Sequence, residues 1–213
     1  MKALLICPYF GPFPPWMPKY ALGTEKLSQQ GFDFLIDTDL ENFSQRVKDV
    51  LGVRCPITPG SSKIHDYRAA FGELYADAIE DYDWWGHTDF DCVYGRVDRF
   101  YNDDLLKDLD VATDCNDYLC GPWTLYRPAV ASAFREYDGW QEILEEPESS
   151  GWVEDRFTWL LNNMGLNVQY RQQHAYTDMQ FLHIEEDGAL MHHDVEVPFF
   201  HFRRYKEWPS LSP

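Results

Sequence analysis

Two aspartates separated by one residue, Asp89 and Asp91, are the pair in this sequence whose type and spacing best suit chemistry. Alternate side chains of an extended strand point to the same side, so both carboxylates should aim together while Phe90 turns into a core. Converging carboxylates repel each other unless a positive group lies between them. Carboxylate oxygens suit hard divalent cations, which also bind substrate phosphates. The spacing therefore predicts a site for Mg²⁺ or Mn²⁺ at the end of a strand.

The residues around the pair favour a metal site over a solvated acidic loop. The chain has 36 acidic residues, so an Asp-x-Asp triplet alone is weak support. Residues 84–85 and 93–94 are aromatic or apolar, which is unusual for an acidic loop in water. Gly86 and Gly95 flank the pair, and glycine within a strand often marks a place where another backbone segment approaches closely. We therefore interpret the triplet as the end of a buried strand.

The run WWGHTDFDCVYGRV resembles the segment WG-x-x-D-x-D-x-x-x-G of a family of small bacterial and phage-type glycosyltransferase-like proteins. These proteins are themselves similar to nucleotide-sugar-dependent glycosyltransferases of the GT-A fold. Residues 63–91 are similar to the same family's approach to the metal motif. The resemblance implies one α/β domain over residues 1–213, with a mixed, mainly parallel sheet flanked by helices. It also implies a nucleotide-sugar-binding part over about residues 1–115 and an acceptor part over about residues 116–213.

Local patterns predict the elements that lead to the aspartates. Residues 2–7 form an apolar run typical of a central strand, and residues 32–36 predict a second strand. A helix predicted between them gives the strand–helix–strand order of a right-handed parallel crossover. Apolar residues at helical spacing also predict helices over residues 41–51 and 66–80, the latter with Asp66 as its cap.

A proline-rich loop follows the first strand and carries two aromatic candidates for ligand binding. Ligands of open α/β sheets bind at the carboxyl ends of the strands, where Tyr9 and Phe10 should lie. These rings could stack on a nucleobase, or they could cap the core.

Arg68 is one of few cations near the aspartates. In the resembling families a basic residue ahead of the aspartate pair contacts the donor nucleotide or its phosphates, and Arg68 matches that position. The alternative is a surface arginine that pairs with Glu73 or another carboxylate.

A strand predicted over residues 118–127 is interrupted at Gly121 and Pro122. Such an interruption often marks a place where the backbone approaches a ligand. The resemblance places this region over the sugar donor, which makes Gly121, Pro122 and Trp123 candidates for the walls of a sugar pocket.

Glu154 and Asp155 fall in the first turn of a predicted helix. The helix dipole favours acidic residues there, which is a sufficient structural reason for them. The resembling enzymes, however, carry an acidic pair at the start of a helix that faces the acceptor. One of the two residues would then be the general base or would hold the acceptor hydroxyl.

The resemblance also supplies a third metal ligand near the end of the chain. GT-A enzymes commonly complete the metal shell with a histidine there, and His201 is preferred over His192 and His193. Arg203 and Arg204 follow it and could neutralise a diphosphate leaving group.

Charge and composition limit the classes of partner. A formal charge of -18 repels polyanions, so we do not expect the protein to bind long nucleic acid. No stretch approaches the roughly 20 apolar residues of a membrane span. The number of cysteines is odd, and they form no C-x-x-C pair, which favours a reducing cytoplasm over a disulfide framework.

The sequence therefore predicts a glycosyltransferase that moves a sugar from a nucleoside-diphosphate sugar to a hydroxyl acceptor, a glycan or a small molecule, with Mn²⁺ or Mg²⁺. Retaining and inverting transfer both stay open. One alternative is a non-catalytic module of the same fold that binds a nucleotide sugar or glycan. The other is a metal-dependent phosphotransferase or hydrolase, although no P-loop motif is present.

Overall fold

The structure is a computed structural model, and it describes residues 1–202. Its strands, numbered in chain order, are β1 Ala3–Ile6, β2 Phe32–Leu35, β3 Trp84–Thr88, β4 Cys92–Tyr94, β5 Val111–Thr113, β6 Trp123–Tyr126, β7 Val168–Tyr170, β8 Leu182–Ile184, β9 Leu190–His192, β10 Val195–Val197 and β11 Phe199–His201. The α-helices are α1 Met17–Ser28, α2 Leu40–Arg46, α3 Phe71–Leu74, α4 Ala76–Ile79, α5 Asp103–Leu106, α6 Trp140–Glu145 and α7 Thr158–Asn163. Short 3₁₀ and π-helical segments connect several of them.

Six strands form the central sheet in the order β2-β1-β3-β6-β5-β7. The pairs β1–β2, β1–β3 and β5–β7 are parallel, whereas β6 runs antiparallel to both of its neighbours. The carboxyl ends of the other five strands therefore lie along one edge of the sheet, together with the amino end of β6. The predicted α/β class with a mainly parallel sheet is confirmed.

Side-chain alternation along β1 divides the core into two layers. Leu4 and Ile6 pack on one face of the sheet with Phe43 of α2, whereas Leu5 packs on the other face with Leu27 of α1. A central strand covered on both faces explains the continuous apolar run in the sequence.

Close packing also explains Gly86 in the middle of β3. A β-carbon at this position would collide with the backbone carbonyl oxygen of Thr124 on β6. A larger residue would push the two strands apart just before the aspartates.

The helix predicted over residues 66–80 is a different structure. A 3₁₀ helix spans Ser62–Ala70 and is followed by α3 and α4, and its cap is Ser61. Asp66 is fully buried and does not cap a helix. It accepts hydrogen bonds from Lys63 Nζ at 3.0 Å and from the backbone N–H of Ser150 at 2.9 Å, which ties the helix to a distant loop.

Two smaller sheets complete the fold. β4 pairs antiparallel with β11, and β8, β9 and β10 form a three-stranded antiparallel sheet. No helix among residues 1–202 is long and apolar enough to cross a bilayer.

Candidate functional site

The turn between β3 and β4 carries both aspartates. Asp89 follows the last residue of β3, and Asp91 precedes the first residue of β4. Phe90, between them, packs its ring 4.9 Å from the rings of Tyr9 and Tyr20. This buried ring anchors the turn and keeps both carboxylates at the end of β3, although residues 89–91 form a turn and not the extended strand end predicted from the sequence.

Pairing of β11 with β4 brings the third candidate ligand to the turn. His201 lies opposite Cys92, the residue after Asp91. The backbone N–H of Phe202 donates to the carbonyl oxygen of Asp91 at 2.9 Å, and that of His201 donates to Ala175 at 2.8 Å. The backbone therefore holds His201 from both sides.

The three side chains form a compact set of oxygen and nitrogen ligands. His201 Nε2 lies 3.1 Å from Asp91 Oδ1 and 3.8 Å from Asp89 Oδ2, and the candidate ligand atoms are all within 4.8 Å of one another. Burial alone would raise the pKa of Asp91, but the hydrogen bond and charge of His201, with help from Arg68, hold it below its usual value. Asp91 is thus kept in the ionised form that binds metal.

Arg68 lies beside this set, almost fully buried near the end of the 3₁₀ helix. Its Nη2 contacts Asp89 Oδ1, and its Nη1 lies 3.8 Å from Glu154 Oε1. Of the alternative, a surface arginine paired with Glu73 or another carboxylate, the surface position is wrong because Arg68 is 5% exposed. Glu73 is bound by Arg135 at 2.7 Å, and the partners of Arg68 are other carboxylates. Arg68 therefore supplies the positive charge that relieves repulsion within the aspartate pair.

The interrupted segment before β6 makes room for this arginine. A β-carbon at Gly121 would lie 2.8 Å from Arg68 Nη1, so a larger residue here would displace the guanidinium group. Gly121 and Pro122 line the cleft. The prediction for Trp123 is wrong, since its indole is fully buried in the core against Phe32 and Phe199.

His87 was not identified from the sequence, yet it fixes the position of Gly121. Its Nδ1 lies 3.0 Å from the carbonyl oxygen of Gly121, and its Nε2 lies 3.4 Å from the hydroxyl of Tyr126. Burial, with the nearby charge of Arg68, lowers its pKa to about 3, so the ring is neutral. The signal was available, because His87 and Asp89 are two positions apart on an extended segment and point to the same side.

Only one residue of the acidic pair after the loop reaches the cleft. Glu154 lines it, and burial raises the pKa of this carboxyl although Arg68 partly opposes the shift. Asp155 is exposed on the other side of a π-helical turn, Val153–Phe157, and does not line the cleft. The catalytic role predicted for Asp155 therefore finds no support in its position.

The cleft itself has a volume of about 1540 Å³ and follows the carboxyl edge of the sheet. Tyr9 lines it, half-buried, with its hydroxyl donating to the carbonyl oxygen of Pro12 at 3.0 Å. Phe10 also borders the cleft but is 6% exposed and packs on Phe43, so it mainly caps the core. Arg203 and Arg204 lie outside the described residues.

The fold as a whole is similar to that of a solved glycosyltransferase. The crystal structure of a glycosyltransferase involved in the glycosylation of the major capsid of PBCV-1 matches with a TM-score of 0.60 and 9% sequence identity. The match covers 97% of this chain and 96% of that one. At this identity the likeness concerns the fold, a glycosyltransferase fold with a mixed α/β sheet.

No curated protein matches the sequence. A family model does, over residues 5–196. The chain therefore belongs to the family described as a family of unknown function, DUF6625.

Proposed function

We propose that the protein is a metal-dependent glycosyltransferase, which moves a sugar from a nucleoside-diphosphate sugar to a hydroxyl acceptor. The observation that carries this proposal is the cluster of Asp89, Asp91 and His201 at the carboxyl edge of the sheet, inside a large cleft. The likeness in fold to a solved glycosyltransferase supports it.

The cluster fits a hard or borderline divalent cation. Two carboxylate oxygens and one imidazole nitrogen suit Mn²⁺ or Mg²⁺, and such sites leave positions for substrate phosphate oxygens. When bound, the cation would supply Lewis-acid stabilisation of the negative charge on the departing diphosphate. Arg68 keeps one oxygen of Asp89 occupied, so Asp89 offers its other oxygen, Oδ2, to the centre.

The remaining side chains of the cleft have separate tasks in this proposal. Tyr9 lies at the end of β1, where it can stack on the nucleoside, and Gly121 and Pro122 leave room for the sugar near Arg68. In the transfer, the bond between the anomeric carbon and the phosphate oxygen breaks, and its electron pair leaves with the nucleoside diphosphate. A bond forms between the anomeric carbon and the acceptor oxygen, whose proton passes to a base. Glu154 is our candidate for that base.

Glu154 also distinguishes this proposal from a non-catalytic binding module. A purely structural acidic residue at a helix start would face solvent and the helix dipole. Glu154 instead lies in the cleft 3.8 Å from Arg68, and burial raises its pKa. A group that is hard to ionise and borders a ligand cleft is typical of an acid–base role.

The proposal also covers the acceptor and the cellular compartment. We propose that the acceptor is a glycan or a small molecule with a free hydroxyl. We also propose cytoplasmic residence, supported by five cysteines that are all free.

The first experiment is a calorimetric titration of nucleoside diphosphates with Mn²⁺ present, and again with a chelator. We expect binding only with the cation, because a chain of charge -18 otherwise repels two phosphates. Asp91→Asn should abolish this binding, and Asp104→Asn, on the exposed surface of α5, should not. Equal affinity with and without the cation would remove metal from the proposal.

The second experiment assays a panel of nucleotide sugars with Mn²⁺ for release of free sugar. Release without an acceptor, together with transfer when an acceptor is added, identifies a glycosyltransferase. Binding without release identifies the non-catalytic module. Release of inorganic phosphate instead identifies a phosphohydrolase.

A further inference from the structure

The order of strands divides the cleft into two sides. β1 and β3 are neighbours and deliver Tyr9 and Asp89 to one side. β5 and β7 are neighbours on the other half of the sheet and deliver the segments that follow them. We call the cleft-lining residues of those segments the β5–β7 face: Asn116, Asp117, Tyr118, Gln172, His174 and Tyr176.

Two aromatic residues on the β5–β7 face are partly exposed to solvent. Tyr118 is 42% exposed and Tyr176 is 41% exposed, and both line the cleft. Large apolar surface that stays exposed beside a cleft marks a place where a ligand can cover it.

Buried hydrogen bonds hold the backbone beneath Tyr118. The N–H of Leu119 donates to Thr158 Oγ1 at 3.0 Å, and that of Cys120 donates to Thr113 Oγ1 at 2.6 Å. The residues directly after Tyr118 are therefore fixed to β5 and α7, and the exposed ring sits on an ordered support.

The segment that carries Tyr176 is fixed in the same way by Asp114. This fully buried carboxylate accepts from the hydroxyl of Tyr101 at 2.8 Å and from the backbone N–H of His174 at 3.3 Å. The His174 ring is stacked on Phe199, with centroids 4.9 Å apart and planes within 5°. A rigid aromatic surface of this kind loses little conformational entropy when a ligand binds.

Charge limits what this surface can bind. Arg68 is the only arginine or lysine among the cleft-lining residues that the structure describes, and it is already paired with Asp89. The β5–β7 face itself carries the carboxylate of Asp117 and the amides of Asn116 and Gln172. Among the cleft-lining residues described, a phosphate or uronate would meet no arginine or lysine on this face, whereas sugar hydroxyls can bond to carboxylate and amide groups.

We propose that the β5–β7 face is the acceptor site and that the acceptor is a neutral carbohydrate. Its apolar C–H face stacks on Tyr118 and Tyr176, and its hydroxyls bond to the polar side chains between them. Tyr118 lies three positions before Gly121, which borders Arg68 and Glu154, so a sugar on this face adjoins the proposed transfer site. The acceptor role in this inference rests on the proposed function. Binding of a carbohydrate to this face can be measured without it.

The experiment is a glycan array that carries neutral and uronate- or phosphate-containing oligosaccharides, followed by titration of the best neutral oligosaccharide. We expect neutral glycans to be retained in preference to acidic ones. Tyr118→Ala and Tyr176→Ala should each weaken binding by about 3- to 10-fold, the scale of an aromatic contact. Tyr118→Phe, which keeps the ring, should retain most of the affinity.

The control is Phe181→Ala, an equally exposed aromatic residue that does not line the cleft. Preference for acidic glycans, absence of any neutral binder, or neutral binding that both tyrosine variants leave unchanged would overturn the inference. If the wild-type protein binds glycans but shows no metal-dependent nucleotide binding, the proposed function is overturned instead. Failure of the inference and failure of the proposed function are therefore distinguishable.

Discussion

Among single residues, Arg68 most changes the interpretation of the aspartate pair. The sequence predicts two carboxylates that repel each other until a cation binds, so that removing one should not reduce stability. In the structure the almost fully buried guanidinium group contacts Asp89, while Asp91 contacts His201. The two aspartates therefore differ in what they stabilise.

We predict that Asp89→Ala lowers the free energy of unfolding by about 1–3 kcal/mol in the presence of a chelator, because it leaves a buried charge without its best partner. Asp91→Ala should lower the free energy of unfolding by less, since an unprotonated His201 leaves no unpaired buried charge. Urea denaturation of both variants gives the comparison. Adding Arg68→Met to Asp89→Ala should recover part of the loss, and wild-type stability of Asp89→Ala alone would contradict this account.

Glu154 gives a prediction about pH. Its folded-state pKa is raised above the unfolded value, so the protonated form favours folding and its contribution is lost as pH rises through the folded pKa. Glu154→Gln removes that loss. We therefore expect this variant to be as stable as the wild type at acidic pH and at least as stable at neutral pH, while transfer falls. Thermal melts across this range test it, and a variant less stable than wild type at neutral pH would show that the ion pair with Arg68 dominates.

The position of a residue is predictable from the sequence where its partners are close in the chain. It is not predictable where the partners are distant. The Asp-x-Asp spacing and the flanking aromatic run are local, so the position of the turn was predictable. The sequence predicts Asp66 as a helix cap, because its partner Ser150 lies 84 positions away and leaves no local signal. The strand interruption and the family resemblance place Trp123 in a sugar pocket, and nothing local shows that Phe32 and Phe199 enclose it instead.

At the scale of elements, the antiparallel pairing of β11 with β4 brings His201 to the candidate metal cluster. His201 is positioned by strand pairing and by backbone hydrogen bonds to Ala175, not by a local motif. His193 sits instead in the turn between β9 and β10, half-exposed, and is not part of the cluster.

We predict that His201→Ala weakens Mn²⁺ binding by on the order of 10-fold or more, since loss of even an outer-shell partner has effects of this size. His193→Ala should leave the affinity unchanged and is the matched control. Isothermal titration at one fixed pH measures both. If the two variants bind Mn²⁺ equally well, the third ligand is not His201.

At the scale of the whole molecule, one sheet joins the two proposed parts of the chain. β5 lies before residue 115, but both of its neighbours, β6 and β7, lie after it. β4 likewise pairs with β11 across the same division. The proposed nucleotide-sugar part and the proposed acceptor part therefore contribute strands to the same sheet.

We predict a single cooperative unfolding transition for the full chain, seen at the same denaturant concentration by far-UV circular dichroism and by tryptophan fluorescence. Fragments 1–115 and 116–213 should each fail to fold alone, because each leaves sheet edges and apolar faces uncovered. Two separate transitions, or a folded fragment, would mean that the chain holds two domains.

The fold class was predictable because β1 is a continuous apolar run and the order of elements implies a parallel crossover. The place of β6 was not, since an antiparallel strand between β3 and β5 is set by contacts across the chain. The 3₁₀ helix Ser62–Ala70 was also not predictable, because the buried partners of Asp66 and Arg68 are distant in the chain.

Asp91 and His201 are 110 positions apart in the chain, so a ribosome makes them at different times. A ribosome that adds about 5–20 residues per second makes His201 roughly 5 to 20 s after Asp91. Arg68 precedes Asp89 by 21 positions, so it is available to the nascent chain throughout that interval. The arginine can neutralise Asp89 early, and the cluster gains its histidine only when β11 pairs with β4. For the proposed metal site, this order would make cation binding a late step, because all strands of the central sheet precede β11 in the chain.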